Sequence, residues 1–356
     1  MGNRLLSHPK QGCFNTLAQD WTAQEGGEPL RLVGNGSDIT KTKVATGKAK
    51  RKFLTQSMIL SIIDICKAHG NRELEQTLWR TYRCSSKVVV VNGKMYTKYC
   101  KNRICTICLS NRKAEIINKY LPTVMSWEKP YFITLTAKSC KGRFLVHRFK
   151  TMYDVIRRIN DRIRQRHNRN GGIKIVGIRS LECNFNPIAS TYNPHFNFLV
   201  ETKEMGELLI KEWAKEWTSS HVYEKIQYIR PVKRDRVKDL IEAIKYGSKI
   251  FTEPDIYNKK KTKKGEHQIY AKALYQILRA MKRHRLFDSI GFNLPKDSKH
   301  INKKPTVKYA MTYKQYEFDI KHQDWIDVKT GKGLTGYVPT PELVFMLENK
   351  VNTTHY

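Results

Sequence analysis

No run of about 20 consecutive apolar residues occurs in the sequence, so no segment reads as a membrane span. Acidic residues are scarce: 32 Asp and Glu stand against 66 Lys and Arg, a formal net charge of +34. An excess of that size points to a polyanionic partner, without choosing between DNA, RNA and an anionic surface. The opening Met1-Gly2-Asn3-Arg4-Leu5-Leu6 lacks the apolar run of a secretory signal and a Ser or Thr at position 6 for myristoylation. The expected location is therefore cytoplasmic or nuclear, with cytoplasmic preferred. Cysteines number only eight in 356 residues and make a poor disulfide framework; where they cluster, metal is the better expectation. There is no internal repeat. What is present is 40% hydrophobic and 10% aromatic content, enough for a core and against a disordered basic tail. The length allows one large domain or two to three smaller ones.

Residues 1–50 are rich in Gly, Thr, Asn and Lys with little periodicity, and read as a flexible N-terminal region. From Phe53 to about Arg80 the apolar spacing is helical. Lys87–Val91 and Lys94–Thr97 are strand-like runs around Asn92-Gly93, a strong hairpin signal because both turn positions need φ > 0. A basic helix is expected after Cys108, with a break at Leu121-Pro122. Beyond it, strands (131–136, 173–183, 192–201, 222–231) alternate with helices (145–168, 205–217, 236–250). Val146, Phe149, Met152, Tyr153, Ile156 and Ile159 form the expected apolar face of the first of these helices. The two strands joined by Asn-Pro-Ile-Ala-Ser are expected to be antiparallel neighbours. A lysine-rich loop (259–264) and a basic helix (267–285) follow.

Cys84, Cys100, Cys105 and Cys108 lie close in sequence, and Cys105-Thr-Ile-Cys108 is a CxxC pair of the kind that holds tetrahedral Zn²⁺. The Asn-Gly hairpin would fold Cys84 and Cys100 together to supply the other two ligands. The competing possibilities are a chance CxxC with two buried thiols, and a redox pair. No strand leads directly into Cys105, which disfavours the latter. Structural Zn²⁺ is the expectation, and a closed four-cysteine site leaves no position for catalysis.

Two further segments carry candidate chemistry. His195 and Asn197 share one face of their strand, and Glu182 on the preceding strand lies beside them if the two pair. An imidazole, a carboxylate and an amide oxygen suit a hard divalent cation such as Mg²⁺ or Mn²⁺. Alone, His195 reads more readily as a hydrogen-bonded sheet histidine than as a ligand. In Asp239-Leu-Ile-Glu242-Ala-Ile-Lys245-Tyr246-Gly-Ser-Lys249, Glu242, Tyr246 and Lys249 share a helix face. A phenol is a poor nucleophile near neutral pH, and a nearby cation and proton acceptor would activate it. Alone, this segment reads as an amphipathic basic helix.

The order of the cysteine knuckle, Phe132-Ile-Thr-Leu-Thr136, Asn193-Pro-His-Phe-Asn197 and Glu242-x-x-x-Tyr246-x-x-Lys249 resembles the rolling-circle plasmid replication initiators of the HUH endonuclease superfamily. The resemblance spans about residues 84–255. It implies an α/β (α+β) fold: a central antiparallel sheet with flanking helices of the HUH type, preceded by a small four-cysteine zinc-binding element. It implies metal-dependent nicking and joining of single-stranded or hairpin origin DNA. Tyr246 would form a 5′-phosphotyrosyl link and release a 3′-OH, with the cation on His195 and Glu182 polarising the phosphate. Glu242 would activate water or orient a strand end, and Lys249 would position the phosphate or lower the phenol's pKa. Arg103, Arg112 and Lys245 would contact DNA. One residue departs from the pattern: Asn197 stands where the family carries a second histidine.

The implied partners are origin DNA and a host helicase and polymerase, with no membrane. Trp213, Trp217, Tyr228 and Tyr257 are candidate base stackers, although for the two tryptophans, on one helix, core packing is favoured. The expected organisation is a flexible region (1–50), a helical and zinc segment (51–122), a catalytic domain (123–290) and an extension without legible chemistry (291–356). The alternatives are a single-strand transposase or mobilisation relaxase, or a non-catalytic zinc-containing nucleic-acid-binding protein.

Overall fold

A computed structural model describes residues 30–32, 42–217, 226–232, 239–240, 269–294, 306–307, 313–349 and 351–353. In chain order the elements are β1 (Leu30–Leu32), α1 (Thr42–Ala68), α2 (Arg72–Tyr82), β2 (Lys87–Val91), β3 (Lys94–Thr97) and α3 (Thr106–Ser126). Then come β4 (Tyr131–Thr136), α4 (Gly142–Asn168), β5 (Gly177–Asn186), β6 (Thr191–Val200), α5 (Lys203–Glu216) and β7 (Tyr228–Pro231). The last are β8 (Ile269–Tyr270), α6 (Ala271–Met281), β9 (Phe287–Ile290), β10 (Thr306–Val307), β11 (Lys314–Asp319), β12 (Asp324–Asp327), α7 (Pro341–Asn349) and β13 (Val351–Asn352). These divide into two compact units, the first within 30–111, 269–271 and 306–353, the second within 112–240 and 272–294.

The first unit pairs α1 with α2 and holds a six-stranded sheet ordered β10-β1-β3-β2-β11-β12. Asn92 and Gly93 both take positive φ, as the β2–β3 turn requires. Two features depart from the expectation of a flexible start and a separate C-terminal extension. α1 begins at Thr42, because its buried stripe opens on the small residues Ala45 and Ala49, which apolar counting overlooks. β11 pairs with β2 through Lys314↔Val90 to Glu317↔Lys87, so residues of 291–356 complete the sheet beside the cysteine hairpin. Trp325 of β12 anchors this join by donating its indole N–H to the Ser85 carbonyl at 2.8 Å.

The second unit is a five-stranded sheet, β7-β4-β6-β5-β9, antiparallel throughout. α4 and α5 cover one face, where Tyr153 and Trp213 both meet Phe196 edge-on. Burying Phe196, Phe198 and Trp213 contributes roughly 1.5–3 kcal/mol apiece. The apolar stripe of α4 runs through Leu145 rather than Val146, which is exposed. Glu212 of α5 accepts from Arg162 at 2.8 Å and Arg166 at 2.9 Å, tying the two helices together. α3 passes through Pro122 instead of ending before it; Tyr120, Val124 and Trp127 are buried on either side of the proline. The strand expected from residue 173 begins at Gly177, and the strand expected from 222 is described only as β7. Of the helix expected over 236–250, Asp239 and Leu240 are described, and both are helical and buried. The lysine-rich run at 259–264 and Tyr257 lie outside the described residues.

Candidate functional site: a four-thiol cluster and a polar sheet face

The β2–β3 hairpin folds Cys84, which precedes it, back onto Cys100, Cys105 and Cys108, which follow it. Cys84 follows α2, Cys100 follows β3, and Cys105 and Cys108 flank the start of α3; their sulfurs all lie within 4.8 Å of one another. Cys84 Sγ and Cys100 Sγ are each 3.6 Å from Cys108 Sγ. Tetrahedral zinc with Zn–S bonds near 2.3 Å sets its sulfurs about 3.8 Å apart, so the group is compatible with structural zinc. Ser85 and Lys101, each following a cysteine, take left-handed φ values of 56° and 55°. Such turns cost about 1–3 kcal/mol outside glycine. Here they accompany amide-to-sulfur bonds, from Cys100 N–H to Cys84 Sγ and from Asn102 N–H to Cys100 Sγ, both 3.4 Å.

Hydrogen bonding with Cys100 holds the Cys84 thiol well below its usual range and pushes Cys105 well above it. A divalent ion held by the four sulfurs would take all of them as thiolates. Beneath them, Lys52 is buried and donates to the carbonyls of Tyr82 (2.7 Å) and Cys84 (2.6 Å) and to Ser86 Oγ (2.9 Å). Burial pushes its ammonium down to about 8 against the opposing pull of the thiols. No local pattern singles out Lys52, because Lys48 and Gln56, one turn before and after it, are also buried polar residues of α1. Arg103, between Cys100 and Cys105, is half-buried.

In the second unit, β5–β6 register places Glu182 directly opposite His195 and Ser180 directly opposite Asn197. β4 brings Thr136 opposite His195 and Thr134 opposite Asn197. Residues opposite one another in antiparallel strands share a face, so these side chains form a polar patch on the face turned away from α4 and α5. Glu182 is 1% exposed, His195 6% and Asn197 5%. His195 Nε2 lies 3.3 Å from Glu182 Oε2, while Nδ1 lies 3.1 Å from the Asn193 carbonyl. A carbonyl only accepts, so Nδ1 carries the proton and Nε2 is directed at the carboxylate. That arrangement suits either an imidazolium–carboxylate pair or a shared cation.

Thr134 Oγ1 lies 2.9 Å from Asn197 Oδ1, and Thr136 Oγ1 lies 2.9 Å from Asn193 Oδ1, so the neighbouring strand holds both amides. Ser180 is 1% exposed, and its hydroxyl has no hydrogen-bond partner among the described residues. These threonines and Ser180 carried no sequence signal of their own; only the register reveals them. At the sheet edge, Arg230 of β7 stacks over Phe132 and ion-pairs with Asp239. Asp239 is thereby tied to the strand beside β4.

Glu242, Lys245, Tyr246 and Lys249 lie outside the described residues. Arg112, on α3, is half-buried. Trp213 is a core residue whose indole donates to the Thr136 carbonyl at 3.0 Å; Trp217 packs against it under Arg148, and Tyr228 is exposed. No helix of the described residues is long and apolar enough to cross a membrane.

No family model matches the chain, and no solved structure is significantly similar to it. It is similar to a Staphylococcus aureus protein named Protein rep, with 26% identity over 164 residues that cover 42% of this chain and 69% of that protein.

Proposed function

We propose that this chain initiates rolling-circle replication by nicking and rejoining single-stranded origin DNA at the polar sheet face. The supporting observation is the register that sets buried Glu182 against His195 with Asn197 two residues further along the same face. The name of the distant staphylococcal relative agrees with a replication role.

His195, Glu182 and Asn197 would hold the divalent cation. One nitrogen with two oxygens, one of them anionic, favours Mg²⁺ or Mn²⁺ over softer metals. When bound, such an ion polarises the phosphate oxygens and offsets the charge that builds up on them. The protein's own groups do the rest. Tyr246 attacks the scissile phosphorus, the bond to the 3′ oxygen breaks, and the phosphate stays on Tyr246 as a 5′-phosphotyrosyl link. Lys249 steadies the phosphate and favours the phenolate, and Glu242, one turn earlier on the expected helix, activates water or orients a strand end for closure. The Arg230–Asp239 pair fixes Asp239, three residues before Glu242 in sequence, at the sheet edge.

The four thiolates around structural zinc would keep the hairpin region folded. Arg103, Arg112 and Lys245 would grip phosphates, together with the wider excess of positive charge, in a strongly salt-dependent way. Host helicase and polymerase would act on the 3′-OH that nicking exposes, in the cytoplasm.

The test is incubation of the zinc-loaded protein with hairpin-forming single-stranded DNA, with and without Mn²⁺ or Mg²⁺. A covalent protein–DNA adduct on a denaturing gel, dependent on the added ion and absent in Tyr246→Phe, is expected. No adduct on any origin-like hairpin returns the chain to a non-catalytic zinc-bearing nucleic-acid-binding protein.

A further inference from the structure

The polar face holds one group that the proposed chemistry leaves unused. Ser180 lies directly across from Asn197 on one side and from Phe287 of β9 on the other. It precedes Glu182 by two residues, so both side chains share a face. Tyr120 of α3 packs edge-on to Phe287, with ring centroids 5.1 Å apart, and closes that side of the patch with aromatic carbon. The hydroxyls of Thr134 and Thr136 are engaged by Asn197 and Asn193, whereas Ser180 Oγ is buried with no hydrogen-bond partner among the described residues. A hydroxyl offers one hydrogen and two lone pairs, and one left idle inside a protein points to a partner that binds there.

Resting on the reading of this face as a cation site, we propose that Ser180 Oγ is a further donor to the divalent ion, supplying an oxygen beside Asn197. The donor set becomes one imidazole nitrogen with three oxygens, from Glu182, Asn197 and Ser180. Such a set prefers a hard ion. Asn197 is then not a weakened histidine but half of an amide–hydroxyl pair presented by adjacent strands.

The experiment is Mn²⁺ binding to the zinc-loaded full chain, followed through loss of the free-ion electron paramagnetic resonance signal. Wild type is compared with Ser180→Ala, Ser180→Thr and His195→Ala, and each is melted in Mn²⁺-free buffer. Loss of a group that contacts the ion or its ligands typically weakens metal binding 10–100-fold, so Ser180→Ala is expected to lose about 10-fold and Ser180→Thr, which keeps the hydroxyl, almost nothing. Without Mn²⁺, Ser180→Ala is expected to melt no lower than wild type, because the idle buried hydroxyl is gone. A Ser180→Ala protein that binds Mn²⁺ like wild type while His195→Ala does not would overturn the role of Ser180 alone. So would a lower metal-free melt with unchanged affinity, or equal losses in Ser180→Ala and Ser180→Thr. Absence of Mn²⁺ binding in wild type, or its indifference to His195→Ala, would overturn the cation site itself.

Discussion

The four-thiol cluster and the polar sheet face place candidate metal ligands in two different ways. The cluster draws its sulfurs from one short stretch of chain, folded back by a single hairpin, and its donors are soft and alike. The sheet face draws its groups from three strands, and its donors are hard and mixed. The first arrangement is closed and suits stability; the second combines an imidazole, a carboxylate and an amide, a mixture that suits a hard ion. Local spacing builds the cluster, whereas the face exists only because two registers coincide. A one-residue slip of β5 against β6 would turn Glu182 to the opposite face and abolish it.

The largest effect that separates the two is expected from Cys108→Ser. Structural zinc contributes on the order of 10–16 kcal/mol in small zinc-binding peptides, so this change should release the bound metal and unfold the surroundings of the hairpin. Elemental analysis and a thermal melt measure both. Next is His195→Ala, which should cut adduct yield by at least about 100-fold, since cation stabilisation of a phosphate is worth several kcal/mol. Its zinc content should match wild type; if zinc is lost too, the two sites are not separate. Thr134→Val is smaller: it frees the Asn197 amide and should weaken Mn²⁺ binding by about 10-fold without altering zinc.

The smallest expected effect lies on the far side of the sheet and serves as a control. Burial works against ionisation of Glu212, but hydrogen bonds from Arg166 and Arg162 outweigh it and hold the carboxyl below its ordinary value of 4.5. Because the folded value is lowered, the stabilisation is present above about pH 4.5 and disappears as pH falls through the folded value. Glu212→Gln should therefore cost about 1–3 kcal/mol at neutral pH, with the difference from wild type shrinking in acid melts. Metal binding at either site should not change.

Legibility in the sequence followed locality. The cysteine pairs, the Asn92-Gly93 turn, β4, β6 and α5 are written in nearby residues, and each formed close to where spacing placed it. The pairing of β11 with β2 joins residues more than two hundred positions apart, and nothing local at Lys314–Glu317 announces it. α1 is illegible before Phe53 because alanines carry its first turns, and the end of α3 is illegible because the rule against proline within a helix yields to the packing of Tyr120, Val124 and Trp127. Within the sheet face, Glu182, His195 and Asn197 were legible from residue type and alternation. Thr134, Thr136 and Ser180 were not, because a hydroxyl on a strand is ordinary until its cross-strand neighbour is known.

The proposed catalysis turns on Tyr246 as the nucleophile. The most direct measurement is mass spectrometry of the covalent adduct formed with a short single-stranded hairpin DNA and Mn²⁺, digested with nuclease and protease. The expected result is one nucleotide-bearing peptide with the modification on Tyr246, absent when Mn²⁺ is omitted. A nucleotide attached to any other residue, or a Tyr246→Phe protein that still forms the adduct, would contradict it.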